Sequence, residues 1–229
     1  MHKLDESLLA PLPPFSLLGR AQIRTILDRA VSRRFDAGSA VFDEGAPADS
    51  FFLLLDGTIR VVKITTDGEQ VTSLHIPAGQ LFGIAPALGR DTYPATAVAA
   101  SELLTLCWPT SLWHPFVAAY PGFATETYKS VGKRIEEMNT RIVEMSTQHV
   151  EQRIARALLR LVNQSGKKTE VGIEIDFPIT RQDVSEMTGT TLHTVSRLLS
   201  AWEKDGLVQS KRKKITVCDP HRLVILSSS

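Results

Sequence analysis

Only two cysteines, Cys107 and Cys218, occur in 229 residues. Two thiols cannot build a disulfide framework or a four-thiolate metal site, so both are read as small buried apolar side chains. Histidine is scarce where a barrel-shaped metalloenzyme would need it, for His75 stands alone between Phe35 and Pro109. A cupin-type dioxygenase or isomerase needs several histidines and a glutamate converging inside its barrel, so that competing reading is disfavoured and no enzyme is expected. Long apolar runs are missing too. "FFLLL" (51–55) and "LLTLCW" (103–108) fall far short of the roughly 18 to 20 residues that cross a bilayer. The Met1–Glu6 start has no apolar signal-peptide segment, so the expected location is the cytoplasm, away from any membrane partner.

A net charge of +1 conceals an asymmetry. Residues 1–150 carry 13 Lys and Arg against 16 Asp and Glu, whereas 151–229 carry 13 against 9. The C-terminal part is the one suited to a polyanion.

From Phe35 to Pro109 the chain reads as short β-rich runs punctuated by Gly38, Gly45, Gly57, Gly68 and Gly79, with a hairpin signal at Thr66-Asp67-Gly68. This pattern predicts an antiparallel β-roll, preceded by a short helix with Ile23, Ile26, Leu27 and Ala30 on one face. After Pro121-Gly122 the period changes. Ala124, Tyr128, Val131, Ile135, Met138, Ile142, Met145 and His149 follow at alternating steps of four and three, a heptad seam. Flanked by Lys133, Arg134, Glu136, Glu137, Arg141 and Glu144, so narrow a seam predicts pairing with a second copy of the helix; the alternative is a helix lying on the β-roll. A further helix is expected from about Glu151, then a strand in "GIEIDFPI" with Ile173, Ile175 and Phe177 alternating.

The segment Thr180–Val208, "TRQDVSEMTGTTLHTVSRLLSAWEKDGLV", joins a short helix over Asp183–Met187, a turn at Thr188-Gly189-Thr190 and a helix over Leu192–Lys204 with Val195, Leu198, Leu199 and Trp202 inward. Thr180 is placed to cap the first helix, with Asp183 in its first turn. Helix, glycine turn and helix is a DNA-binding arrangement, and the hairpin carrying Lys211-Arg212-Lys213-Lys214 makes it winged. Thr191, His193, Thr194, Ser196 and Arg197 supply hydroxyls for phosphate and a guanidinium that can grip guanine. Thr180, Gln182, Thr191 and Thr194 are the expected phosphate anchors, and Lys213 an electrostatic one. Double-stranded DNA is the expected partner.

Taken with "GSAVFDEGAPADSFFLLLDGTIRVVK" and "IPAGQLFG", this segment makes residues 15–226 resemble the CRP/FNR superfamily of bacterial transcription regulators. The resemblance implies an α+β chain in three parts: a cyclic-nucleotide-binding-like antiparallel β-roll with its N-terminal helix over 1–120, a long dimerisation helix over 121–148, and a winged helix-turn-helix over 149–229. It also implies a homodimer that works with RNA polymerase and couples an effector signal to its recognition helices. The dimer contacts would be Tyr128, Val131, Ile135, Met138, Ile142 and Met145.

The expected effector is defined by departures from the family pattern. Cyclic-AMP binders place a Glu after the "FG" turn and an Arg-Ser pair further on; here stand Ile84 and "TYPATA" (92–97), so cyclic AMP is not expected. Two cysteines are too few for an iron–sulfur cluster. Carbon-monoxide sensors use Cys and His where this chain has Gly83 and Ala85. "LFGIAPALGRDTYPATAVA" and the histidine of "TTLHTVSR" resemble the NnrR-type regulators, which respond to nitric oxide, through haem, and activate denitrification genes. A regulator answering another signal, or needing no small effector, is the alternative. Candidate haem ligands are His75, His149 and Tyr93, with His114 and His2 also present.

Overall fold

The computed structural model describes residues 4–228, which leaves His2 outside the described residues. The chain divides into two compact units. One joins the residues up to Val61 with His75–Glu137, and the other joins Val62–Leu74 with the chain from Met138 onward. No helix among the described residues is long and apolar enough to cross a membrane.

In the first unit, helix α1 (Arg20–Leu27) buries Ile23, Ile26 and Leu27 at helical spacing, and Ala30 falls beyond its end. Eight strands follow: β1 (Val31–Phe35), β2 (Ala40–Phe42), β3 (Ser50–Asp56), β4 (Thr58–Ile64), β5 (Gln70–Pro77), β6 (Leu81–Phe82), β7 (Thr96–Ala99) and β8 (Leu103–Pro109). They form two four-stranded sheets, ordered β1-β8-β3-β6 and β2-β7-β4-β5. The apolar run "FFLLL" lacks strand alternation because β3 is covered on both faces. Phe51 and Leu53 enter a core with Trp108, Trp113, Phe116 and Phe123. Phe52 turns the other way, stacking on Phe82 with ring centroids 4.9 Å apart. Trp108 Nε1 donates to the Ile26 carbonyl at 2.8 Å, tying α1 to the sheet without leaving a buried donor orphaned. Gly83, in the left-handed region at φ 65°, lies where an added Cβ would come within 3.1 Å of Phe42 and Phe52. Only glycine turns the chain there without displacing the rings.

Helix α2 (Trp113–Ala119) leads into α3, which runs from Pro121 to Thr147 and passes through both units. The helix expected along the heptad seam runs through Met145 but does not reach His149. The helix ends at Thr147, and His149 instead precedes the first turn of α4 (Val150–Ser165), its N–H donating to Gln152 Oε1 at 2.8 Å.

The second unit is built on α4, which buries Ile154, Ala155, Ala157, Leu158, Leu161 and Val162 along one stripe. Strands β9 (Gly166–Thr169) and β10 (Gly172–Ile175) precede α5 (Arg181–Thr188) and α6 (Leu192–Lys204); β11 (Val208–Lys211), β12 (Lys214–Val217) and α7 (Pro220–Ser228) complete the chain. The sheet order is β11-β12-β10-β9. The strand expected through Phe177 stops at Ile175, because the Asp176 N–H bonds to the Ser165 carbonyl and Pro178 has no donor to extend a ladder. Ile175, Phe177 and Ile179 still point inward, while Ile173 is half-buried.

Candidate DNA interface

Helix α5 begins two residues earlier than its apolar pattern indicates, because Thr180 and Asp183 close a reciprocal cap. The Thr180 N–H donates to Asp183 Oδ2 at 2.7 Å, its hydroxyl donates to the same oxygen at 2.6 Å, and the Asp183 N–H donates back at 3.1 Å. Gly189 then closes α5 at φ 60°, a left-handed residue that sends the chain straight to Thr191. Thr191 caps α6 by accepting from the Thr194 N–H at 3.1 Å, and the two hydroxyls lie 3.0 Å apart.

Helix α6 is polar on one face and buried on the other. Val195, Leu199 and Trp202 are inside, Leu198 is half-buried, and His193 and Arg197 are exposed one turn apart. Ser196 and Thr194 are half-buried beside them, and Gln182 is exposed on α5, its amide donating to Glu186 at 3.1 Å. Among the described residues Arg197 has no hydrogen bond or ion pair, so its guanidinium is available for a ligand. Thirteen residues span about 20 Å, a length suited to a major groove about 12 Å wide.

Side chains that sequence reasoning passed over hold the two helices at their angle. Arg181 donates to the Ser196 carbonyl at 3.3 Å, to Ser200 Oγ at 3.1 Å and to both Glu203 oxygens at 3.2 Å. Arg153 on α4 donates to the Thr188 carbonyl at 3.0 Å and the Gln148 carbonyl at 3.1 Å, bracing the end of α5 against the α3–α4 junction. At that junction the buried Glu144 carboxylate accepts twice from Arg160 at 2.8 Å and faces Arg156 at 3.7 Å. Trp202 Nε1 donates to Glu151 at 3.2 Å. Their only sequence signal is an Arg or Glu on an otherwise apolar helix stripe.

The wing's basic run resolves into a Lys211–Lys214 cross-strand pair and a two-residue turn, Arg212-Lys213. All four side chains are exposed. The Lys213 carbonyl accepts from the Ile179 N–H at 2.7 Å, so the turn is fixed beside the cap of α5. Lys214 bonds to Glu174 at 2.6 Å, and that carboxylate holds its ammonium above the usual lysine value.

On α3, Phe123 and Thr127 are buried and Val131 packs against the core of the first unit. Arg134 donates to Gln80 Oε1 at 2.8 Å and to the Leu81 carbonyl at 2.7 Å, and desolvation pulls its guanidinium down to about 10. Tyr128, Ile135, Met138, Ile142 and Met145 remain exposed, a stripe of large apolar side chains.

The candidate effector residues fall in different surroundings. Ile84 is in the apolar core with Phe51 and Leu81, where the carboxylate of a cyclic-nucleotide binder is expected. Tyr93 stacks on Phe42 at 3.7 Å; its hydroxyl donates to the Ser50 carbonyl at 2.7 Å and accepts from the Ser50 N–H at 3.3 Å. Burial pushes the Tyr93 phenol up, so its oxygen would have to leave two bonds and lose a disfavoured proton to meet a metal. His149 and His114 are exposed, and His75 is buried on β5.

Comparisons with known proteins agree with this arrangement. Residues 32–120 match the cyclic nucleotide-binding domain and residues 152–225 the Crp-like helix-turn-helix domain. The electron transport regulator A of Shewanella oneidensis is 27% identical over 100% of this chain and 91% of its own length. The fumarate and nitrate reduction regulatory protein of Salmonella typhi is 26% identical over 99% of this chain and 90% of its own. Among solved structures, FixK2 from Bradyrhizobium japonicum superposes with a TM-score of 0.77 at 19% identity, covering 87% of this chain and 98% of that one. A cyclic nucleotide-binding domain followed in order by a Crp-like helix-turn-helix domain, with relatives of the same type along the whole chain, establishes that it belongs to the CRP/FNR family of transcription regulators.

Proposed function

We propose that the chain acts as a homodimeric activator of nitrogen-oxide respiration genes, binding a two-fold symmetric promoter site and recruiting RNA polymerase in response to nitric oxide. The observation that carries the DNA-binding half is α6, with a buried Val195–Leu199–Trp202 face opposite an exposed His193–Arg197 face. Pairing is supported by the exposed Tyr128–Met145 stripe, whose apolar area has no other use in a monomer. The signal is supported by the aliphatic Ile84, by Pro94 where a phosphate-binding pair is expected, and by relatives named for electron transport and nitrate reduction.

Haem, where bound, would supply an iron that takes up nitric oxide. Of the candidate ligands His75 is the histidine buried on a strand, while His149 and His114 face solvent and the Tyr93 oxygen is held by Ser50. The test is an absorption spectrum of anaerobic protein titrated with ferrous haem, before and after nitric oxide. A saturable Soret shift at one haem per chain, altered in His75→Ala, is the expected result. No saturable shift would contradict haem sensing and leave a regulator answering another signal, or needing no small effector, as the reading. Calorimetry with millimolar cyclic AMP should give no binding heat.

A further inference from the structure

Half of the wing's four positive charges, Arg212 and Lys213, sit where backbone geometry opposes long side chains. Arg212 and Lys213 are the only non-glycine described residues at positive φ, 43° and 66°, and together form the whole loop of the β11–β12 hairpin. Such a turn needs both central residues left-handed, and asparagine and glycine meet that need with least strain. Two long cationic side chains occupy it instead, with Lys211 and Lys214 directly opposite each other across the strands. Like charges in that position repel, and only Lys214 has a carboxylate, Glu174, to offset it. Arg212 is exposed and has no hydrogen bond or ion pair among the described residues. Among the described residues, no contact of the Arg212 side chain offsets this arrangement.

The turn is also fixed in place. Through the Ile179–Lys213 hydrogen bond it abuts Thr180, at the end of α5 that faces the sugar-phosphate backbone when α6 lies in a major groove. The next groove across that backbone is minor. A guanidinium is planar and more weakly hydrated than an ammonium, so it enters a narrow, electronegative A·T minor groove where a lysine stays at the rim.

We propose that Arg212 enters the minor groove flanking each half-site and reads its A·T content, while Lys213 stays on the phosphates. This rests on the reading of α6 as the recognition helix. The test is fluorescence anisotropy with the full-length protein and duplexes carrying its selected two-fold site, with about five flanking base pairs as A·T, G·C or inosine·C. Inosine lacks the amino group that guanine puts in the minor groove but keeps its major-groove pattern. The wild type should bind A·T and inosine·C flanks alike and G·C flanks roughly fivefold more weakly. Arg212→Lys should keep its charge-driven affinity and lose the discrimination. Flank-independent binding by the wild type, inosine·C behaving as G·C, or full discrimination in Arg212→Lys would each overturn the proposal while leaving the recognition helix intact. Absence of binding to every duplex would overturn both readings.

Discussion

His193 and Arg197 sit one turn apart on the exposed face of α6, and each offers different chemistry to a base edge. Arginine can make two parallel bonds to guanine, whereas a neutral imidazole presents one donor and one acceptor. At the position of His193 the FNR branch, which this segment resembles, carries a glutamate that can accept from a cytosine amino group. His193→Glu should therefore move the preferred base at one symmetric operator position by about 1–3 kcal/mol, read as affinities across operators substituted one pair at a time. Unchanged preferences would leave Arg197 as the direct reader. Lys213→Ala should instead weaken every operator alike and flatten the salt dependence. These residues were legible because an exposed polar face opposite a buried one leaves a local, periodic trace. Arg181 was not legible: its partners Ser196, Ser200 and Glu203 lie 15 to 22 residues away and meet it only once α5 and α6 have packed. Thr180 shows a different limit, since a hydroxyl foreseen as a phosphate anchor is bound on both sides to Asp183.

Helices α1, α3, α4, α5 and α6 and most strands were readable from period and punctuation, whereas α2 and α7 were not expected; where the elements end was set by hydrogen bonds between segments. The predicted α6 bounds match the observed ones because Thr191 and Lys204 mark them locally. β9 escaped notice, since "GKKT" is exposed throughout and has no apolar alternation to betray a strand. At the α3–α4 junction the decisive group is Glu144, read from sequence only as a flanking charge and found buried between Arg156 and Arg160. Removing one member of such a pair leaves the other charge partly buried without its partner. Glu144→Gln should lower the unfolding free energy by about 2–3 kcal/mol, seen as a shift of the urea midpoint at unchanged slope. The double variant Glu144→Leu, Arg160→Met should lose less than either single one, because it removes both charges. Equal stability of wild type and Glu144→Gln would show that the junction is held by apolar packing alone.

At the scale of the whole molecule, the chain carries an exposed apolar stripe on α3 and an exposed polar face on α6. The stripe was visible as a heptad pattern, and its exposure in a single chain is what the proposed pairing would cover. In the proposed homodimer, two copies paired along α3 would present two α6 helices and set half-sites about one helical turn, roughly 34 Å, apart. Lysines at 135 and 142 would place charges in the middle of that seam, so the variant Ile135→Lys, Ile142→Lys should be monomeric by light scattering and lose operator affinity by orders of magnitude. Selection of binding sites from a fully randomised duplex library tests the central claim most directly. The wild type should enrich a two-fold symmetric site with half-sites one turn apart, and the two-lysine variant should enrich none. Enrichment of an isolated half-site by the wild type, or of the same symmetric site by the monomeric variant, would contradict it.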